Sequence, residues 1–307
     1  MRLQGVLVSK KVLLGTSSFG ALDSAPIEKL KEFGFDVIPN PYKRKLTKDE
    51  VVDLLGNDVE ALVAGLEPLD REVFEKTSLK VLSRCGSGMS NVDSEAAKEL
   101  NIAVYNTPDG PTQAVAELTL GSLLNLLRHV SLMDQRLHQG EWSKQIGFQL
   151  KKKSVCIIGF GKIGQRFAGL LKPFDVRIIA VDPYLKENAG VEVMELKDAL
   201  KISDIISLHC SGEECLIGKD EFLLIKEGAF ILNAARGALV DEDALLEALD
   251  DKRVAGVWFD TFAKEPYDGK LKNYEQALLT PHVGSYTLEG RRDMEMETVN
   301  NLLSYYK

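Results

Sequence analysis

The chain has 307 residues, a formal net charge of −8, and hydrophobic and charged fractions of 45% and 27%, a globular composition long enough for two ordinary domains. The acidic balance argues against nucleic acid or an anionic membrane as the main partner, and the short basic clusters Lys43-Arg44-Lys45 and Lys151-Lys152-Lys153 read as solvated loops. No apolar run approaches the roughly 18 residues that span a bilayer, the N-terminal apolar run is too short for a signal peptide, and Cys85, Cys156, Cys210 and Cys215 form neither a disulfide framework nor a metal-ligand pattern, so a reduced, cytoplasmic setting without a metal is expected.

The first part of the chain alternates strand and helix. Val12 to Gly15 reads as a strand and Ala25 to Phe33 as a helix, with Gly34 at its C-terminal cap. Asp36 to Pro39 is a strand at an edge or ended by its proline. Thr47-Lys-Asp-Glu50 is a capping box opening a helix through Leu55. The strands Ala61–Gly65, Leu79–Arg84 and Ile102–Asn106 follow, separated by helices that Asp70 and Asp93 cap. Repeated βα units imply a parallel sheet with helices on both faces. Thr107 to Pro111 is a break, taken as the first crossing between domains. From Thr112 to His138 the pattern predicts one long helix, apolar on more than one face and therefore buried on both sides. A dimer contact and packing within its own chain account for it equally well.

Val155 to Ile158 is an apolar, β-branched run followed by Gly159-Phe-Gly161-Lys-Ile-Gly164 and a helix that Pro173 ends. Strand, glycine turn and helix start are the context that the dinucleotide fingerprint requires. Gly159 permits the tight turn, Gly161 lets the backbone approach a pyrophosphate, Gly164 lets the helix pack on the strand, and the helix N-terminus offers N–H groups to phosphate. The next strand, Val176 to Asp182, ends in an acid at about the 20-residue separation expected for a carboxylate on the adenosine ribose hydroxyls. That acid favours NAD over NADP, and nearby Lys186 weakens the preference slightly. Helices at 196–201, 219–224 and 243–249 alternate with strands at 205–209, 229–233, 254–260 and 277–280, giving two mononucleotide-binding halves. The last helix, Leu288 to Tyr306, could return to the first domain and make it discontinuous.

Ligands of open α/β sheets lie beyond the carboxyl ends of the strands. Arg236, Asp260, Glu265 and His282 all fall at such ends. Together they supply an arginine for a carboxylate, a histidine to move a proton near neutral pH, and a carboxylate to orient it. His209, His129 and His138 lack that setting and read as structural.

The combined motifs resemble the D-isomer-specific 2-hydroxyacid dehydrogenase family, the group that includes D-3-phosphoglycerate dehydrogenase. The matching stretches are Arg84 to Asp93, Ala116-Glu-Leu-Thr, Gly159 to Gly164, Asn233 to Gly237 with Val240-Asp-Glu242, Asp260 to Pro266, and Thr280 to Gly284. The resemblance implies two doubly wound parallel-sheet domains with the substrate between them. One is a flavodoxin-like substrate domain, residues 1–106 plus 288–307. The other is a Rossmann NAD-binding domain, residues 107–287. It implies hinges near Thr107 and Thr287, and a long helix that serves a homodimer. It also implies that His282 exchanges the proton of the substrate hydroxyl, with Glu265 as its partner and Arg236 on the 2-oxo or 2-hydroxy acid. The substrate would meet Arg84 and the backbone of Gly86, Ser87 and Gly88, besides Arg236 and His282. NAD would meet Gly159, Gly161, Lys162, Ile163, Gly164, Asp182, Cys210, Ala234, Arg236, Asp260, His282 and Gly284, with Asp260 on the nicotinamide carboxamide side.

The implied reaction is NAD-dependent hydride transfer to or from a small 2-hydroxy acid, of the phosphoglycerate type. Two alternatives are a reductase of glyoxylate, hydroxypyruvate or another 2-oxo acid, and an NAD-sensing interaction protein like the family's co-repressors. Phosphoglycerate dehydrogenases typically carry an arginine after the strand matching 62–64 to hold the phosphate. Here Gly65-Leu66-Glu67 stands there, an acid expected to repel phosphate, with Lys43, Arg44 and Lys45 as substitutes. Because the chain ends at Lys307, serine control through a C-terminal sensing domain is not expected.

Overall fold

A computed structural model describes residues 10–185, 190–212 and 214–307. They form two compact units: the described residues through Pro111 together with Ser285–Lys307, and Thr112–Gly284. Lys186 lies outside the described residues.

In the first unit, β1 (Lys10–Leu14), β2 (Phe35–Ile38), β3 (Ala61–Ala64), β4 (Val81–Arg84) and β5 (Ala103–Asn106) alternate with α1 (Ala25–Glu32), α2 (Lys48–Leu55), α3 (Arg71–Glu75) and α4 (Ser94–Glu99). All strand pairs are parallel, in the order β2-β1-β3-β4-β5. This is the flavodoxin-like doubly wound order. Strand side chains alternate between faces. Leu13, Leu62 and Leu82 pack with Val51, Leu55, Val73 and Ala97 on one face. Val12, Leu14, Val63 and Val81 pack on the other with Leu30 and with Met294, Val299 and Leu302 of α11 (Leu288–Ser304). Each fully buried leucine stabilises the sheet by about 2 kcal/mol. The Thr47 side chain accepts from Glu50 N and the Glu50 side chain accepts from Thr47 N, while Asp70 and Asp93 cap α3 and α4. The boundary falls later than the break at Thr107 suggests. Thr107 N donates to Gly86 O at 3.1 Å, Gly86 N donates to Thr107 Oγ1 at 2.7 Å, and Gly110 packs against Met294. Residues 107–111 are therefore tied to the first unit.

The second unit begins with α5 (Thr112–Arg128) and α6 (Val130–His138), where the sequence predicts a single helix. The break is at His129, which takes a left-handed φ of 53°. Asn125 stabilises the new helix start by accepting from Ser131 N at 2.9 Å. Leu123, Leu126 and Leu127 of α5 are buried among Phe167, Leu171 and Trp258, whereas Leu118, Leu120 and Leu124 are only partly covered. In α6 no residue is buried. The sheet that follows consists of β6 (Ser154–Ile158), β7 (Arg177–Val181), β8 (Glu192–Val193), β9 (Ile205–Leu208), β10 (Ala229–Asn233), β11 (Val254–Phe259) and β12 (Ala277–Leu279). Its helices are α7 (Lys162–Leu171), α8 (Leu196–Ile202), α9 (Lys219–Leu224) and α10 (Glu242–Asp250). The strands are parallel in the order β12-β11-β10-β9-β6-β7-β8. This is the dinucleotide-binding order with β12 added at one edge. Strand β8 is only two residues long, too short to leave a periodic signal.

Candidate active site

The glycine turn lies at the carboxyl end of β6, beside the reversal of strand order between β6 and β9. Gly159 has φ 88° and donates its N–H to Val181 O at 2.9 Å. A Cβ there would fall 2.4 Å from Cys210 N, so any side chain would push β6 and β9 apart. A Cβ on Gly164 would fall 2.2 Å from Gly159 O, whereas one on Gly161 would meet nothing within 4 Å. The first and third glycines are therefore required by close packing inside the protein, and the second leaves open space in front of the turn. Helix α7 starts at Lys162 with Gly161 as its N-cap and no capping side chain. The first backbone N–H groups of an α-helix have no carbonyl one turn back to bond. Open space facing such groups fits the pyrophosphate of a dinucleotide. Asp182 accepts from Phe160 N at 2.8 Å through Oδ2 and from Tyr184 N at 2.9 Å through Oδ1. It thus holds the turn, and each oxygen keeps a lone pair for a ribose hydroxyl. Cys210, half-buried, adjoins Gly159.

Three neighbouring strand ends carry the polar groups. After β10, Asn233 Oδ1 accepts from Ala235 N at 3.0 Å and Asn233 Nδ2 donates to Arg236 O at 2.9 Å. This buried asparagine folds Ala234 to Arg236 into the turn that presents the Arg236 side chain. Arg236 Nη1 donates to Ala235 O at 2.7 Å. Gly237 follows because a Cβ there would lie 2.0 Å from the Phe262 carbonyl carbon and 2.1 Å from Ala263 N. The turn after β10 therefore lies directly against the loop after β11.

That loop carries Glu265. Its Oε1 accepts from Phe262 N at 3.0 Å and its Oε2 lies 2.9 Å from His282 Nδ1. Partial burial pushes the Glu265 carboxyl up, but the hydrogen bonds from His282 and Phe262 N and the charges of His282 and Arg236 outweigh it, so its pKa lies below the ordinary carboxylate value. His282 follows β12 in a left-handed turn with φ 54°. Asp260, 1% exposed, holds that turn. Its Oδ1 accepts from Thr280 Oγ1 at 2.6 Å and Val283 N at 2.9 Å, and its Oδ2 accepts from Gly284 N at 2.8 Å. Trp258 Nε1 in turn donates to Thr280 Oγ1 at 3.0 Å. The family resemblance implies a nicotinamide contact for Asp260. In the structure its carboxylate is engaged by the turn that carries His282, a role that depends on partners 20 or more residues away. Asn233, Thr280 and Trp258 were not singled out as site residues, since a buried polar partner leaves no periodic signal.

His209 is structural. Its Nε2 is 2.8 Å from Ser207 Oγ, its ring packs on Phe167, and burial pulls its pKa down to about 4. His138 faces Asp134 on the exposed α6. Among the described residues no group of His, Cys, Asp or Glu is placed to hold a metal.

In the first unit, Arg84, Gly86, Ser87 and Gly88 follow β4. Arg84 Nη1 donates to Cys85 O at 2.6 Å, and its guanidinium fills the space beside Gly86, which has φ 139°. Gly86 N is taken by Thr107 Oγ1. This corrects the expectation that Gly86 offers its N–H to a substrate carboxylate. The N–H groups of Ser87 and Gly88 remain, in a loop held by Asn106 Nδ2 donating to Ser87 O at 2.9 Å. The expected repulsion of phosphate by Glu67 also needs correcting. Glu67 is 1% exposed, with its carboxyl turned inward beside Gly15 and Gly65 and accepting from Gly65 N at 2.8 Å. Burial raises its pKa above the ordinary carboxylate value, so it is not a surface charge. Arg44 is committed to Glu50, at 2.9 and 2.6 Å. Lys45 lines a groove of about 390 Å³ with Leu66, Asp70, Ser90 and Asn91.

A glycine turn on a seven-stranded doubly wound sheet, with a carboxylate–imidazole pair on adjacent strand ends, is the arrangement of a dinucleotide-binding unit. The model for the D-isomer specific 2-hydroxyacid dehydrogenase NAD-binding domain matches residues 120–284. A glyoxylate reductase of Thermococcus litoralis is 34% identical over 304 residues, covering 91% of this chain and 92% of that one. A D-3-phosphoglycerate dehydrogenase of Methanocaldococcus jannaschii is 36% identical over 259 residues, covering 80% of this chain. The chain spans about half that relative's length, 49%. The crystal structure of a glyoxylate reductase from Paecilomyes thermophila superposes with a TM-score of 0.89 at 28% identity, covering 98% of this chain and 96% of that one. The chain belongs to the D-isomer specific 2-hydroxyacid dehydrogenase family.

Proposed function

We propose that the protein is an NAD-dependent D-2-hydroxyacid dehydrogenase in which the first unit takes the substrate and the second the cofactor. The observation that carries this reading is the 2.9 Å Glu265–His282 pair beside the Arg236 turn. Gly159, Gly161, Lys162, Ile163, Gly164 and Asp182 hold the dinucleotide, with Cys210, Ala234 and Gly284 along the same strand ends. NAD supplies the hydride acceptor and, when reduced, the donor. His282, held through Nδ1 by Glu265, takes the substrate hydroxyl proton at Nε2 and returns it in the reverse direction. Arg236 binds the acid and polarises its 2-oxo group, and Ser87 and Gly88 N–H groups bind the carboxylate. Glu265 stabilises the imidazolium that forms.

The substrate is of the phosphoglycerate type, with Lys45, which lines the groove beside Leu66 and Asn91, as the cation for its phosphate. A second reading, a short unphosphorylated 2-oxo acid such as glyoxylate or hydroxypyruvate, is favoured by the commitment of Arg44 to Glu50. We further propose a homodimer in a cytoplasmic setting. Its contact uses the half-covered leucines of α5 and the segment after α6, where Trp142 and Ile146 are 81% and 95% exposed. NADH oxidation across a panel of 2-oxo acids, including the phosphorylated one, tests the assignment. Inactivity with every substrate despite tight NADH binding would overturn it and leave the sensing alternative.

A further inference from the structure

We propose that Tyr267 and Glu242 form a clasp that sets the Glu265–His282 pair, which makes Tyr267 a positioning residue for proton transfer. The inference rests on the role assigned to His282 above. The Tyr267 hydroxyl donates to Glu242 Oε1 at 2.7 Å and accepts from Leu271 N at 3.1 Å. Both partners are fixed points. Glu242 is the first residue of α10, whose start is capped by Asp241 accepting from Ala244 N. Leu271 is 1% exposed, inside the core cluster of the sheet. The Tyr267 ring stacks on the Phe262 ring, with centroids 4.1 Å apart and planes 22° from parallel. Phe262 is the residue whose N–H holds Glu265 Oε1, while the other Glu265 oxygen faces His282.

A continuous path thus runs from the start of α10 through the phenol and Phe262 to the carboxylate. The surrounding chain makes room for it. A Cβ on Gly269 would lie 2.3 Å from the Tyr267 hydroxyl. Burial and the bond to Glu242 raise the phenol pKa above its ordinary value, so the hydroxyl stays protonated and donates. Both of its hydrogen bonds run into the protein, to Glu242 and to Leu271 N, so it reaches the reaction through Glu265. The charged groups facing Glu265 are His282 and Arg236.

Three variants test the clasp. Tyr267→Phe keeps the ring and removes the hydroxyl, Glu242→Ala removes the acceptor, and Glu242→Gln retains an acceptor oxygen. The readouts are the pH profile of kcat with the most active 2-oxo acid, KM, NADH affinity, and the Glu265 carboxylate titration followed by 13C NMR in the enzyme without cofactor. Tyr267→Phe and Glu242→Ala are expected to raise the Glu265 titration toward the ordinary carboxylate value and to move the acid limb of kcat the same way. They should lower kcat about tenfold, the scale of one lost hydrogen bond, with KM and NADH affinity within about twofold. Glu242→Gln is expected to match wild type. An unmoved titration and kcat profile in Tyr267→Phe, alongside an inactive His282→Ala, would overturn the clasp and leave the His282 reading intact. Equal losses in Glu242→Gln and Glu242→Ala would also overturn it. Turnover by His282→Ala would overturn both readings.

Discussion

Gly237→Ala is the sharpest perturbation that the site offers, because it adds one methyl group where two loops touch. The new Cβ would lie 2.0 Å from the Phe262 carbonyl carbon and 2.1 Å from Ala263 N, where ordinary contact begins near 3.4 Å. Both neighbours are backbone, so no side chain can swing aside and the loop after β11 must retreat by more than 1 Å. Glu265 travels with that loop, and its 2.9 Å bond to His282 Nδ1 cannot survive such a retreat unchanged. A misplacement of about 1 Å in a reacting group costs on the order of 100-fold in rate, and overpacking costs about 1–3 kcal/mol in stability. The expected result is a kcat lowered about 100-fold, a lowered Tm, and an NADH affinity close to wild type, since the glycine turn after β6 is untouched. Steady-state NADH oxidation, thermal unfolding and NADH fluorescence titration measure the three quantities. A Gly237→Ala protein with wild-type kcat would refute the claim that loop contact sets the Glu265–His282 geometry.

Other substitutions separate the remaining roles. His282→Ala should lower kcat by about 100-fold to 10,000-fold, the usual range for a lost general acid–base, with NADH affinity nearly intact; retained turnover would remove it from the reaction. Asp182→Ala should cut the preference for NAD over NADP by about tenfold or more, the scale of a hydrogen bond to a charged group, because turn damage weakens both cofactors while the ribose contact serves only NAD. An unchanged cofactor ratio would dismiss the ribose contact. Glu67 has a folded pKa raised by burial, so the folded state holds its proton more tightly and stability falls as pH rises from the ordinary carboxylate value through the folded one. Glu67→Gln should therefore gain in Tm over wild type as pH rises from 4 to 8, and a Tm difference independent of pH would contradict this. Trp142→Asp combined with Ile146→Asp should shift the proposed dimer to monomer in light scattering. A dimer that persists would place the contact elsewhere.

Features written in consecutive residues were legible from the sequence. The run Val155 to Ile158, the three-glycine spacing and the acid at Asp182 needed only local order to predict strand, turn, helix and second strand. Thr47 and Glu50 cap their helix three residues apart, within one turn. The placement of Arg236, Glu265 and His282 at strand ends followed from βα alternation, because parallel strands deliver all their carboxyl ends to one edge of the sheet.

What only the tertiary structure decided depended on partners distant in the chain. Gly86 looks like an anion donor until Thr107, 21 residues later, is seen to take its N–H. Glu67 reads as a surface acid until Gly15 and Gly65 are found to make room for its carboxyl inside the first unit. The predicted long helix breaks at His129 because Asn125 starts a new one there, and β8 exists only because β7 offers two residues an edge. Asp260 holds the His282 turn across the gap between β11 and β12. The physical reason is common to these cases. A buried polar group must find a hydrogen-bond partner, and the sheet order, which short-range periodicity does not encode, determines which partner is within reach.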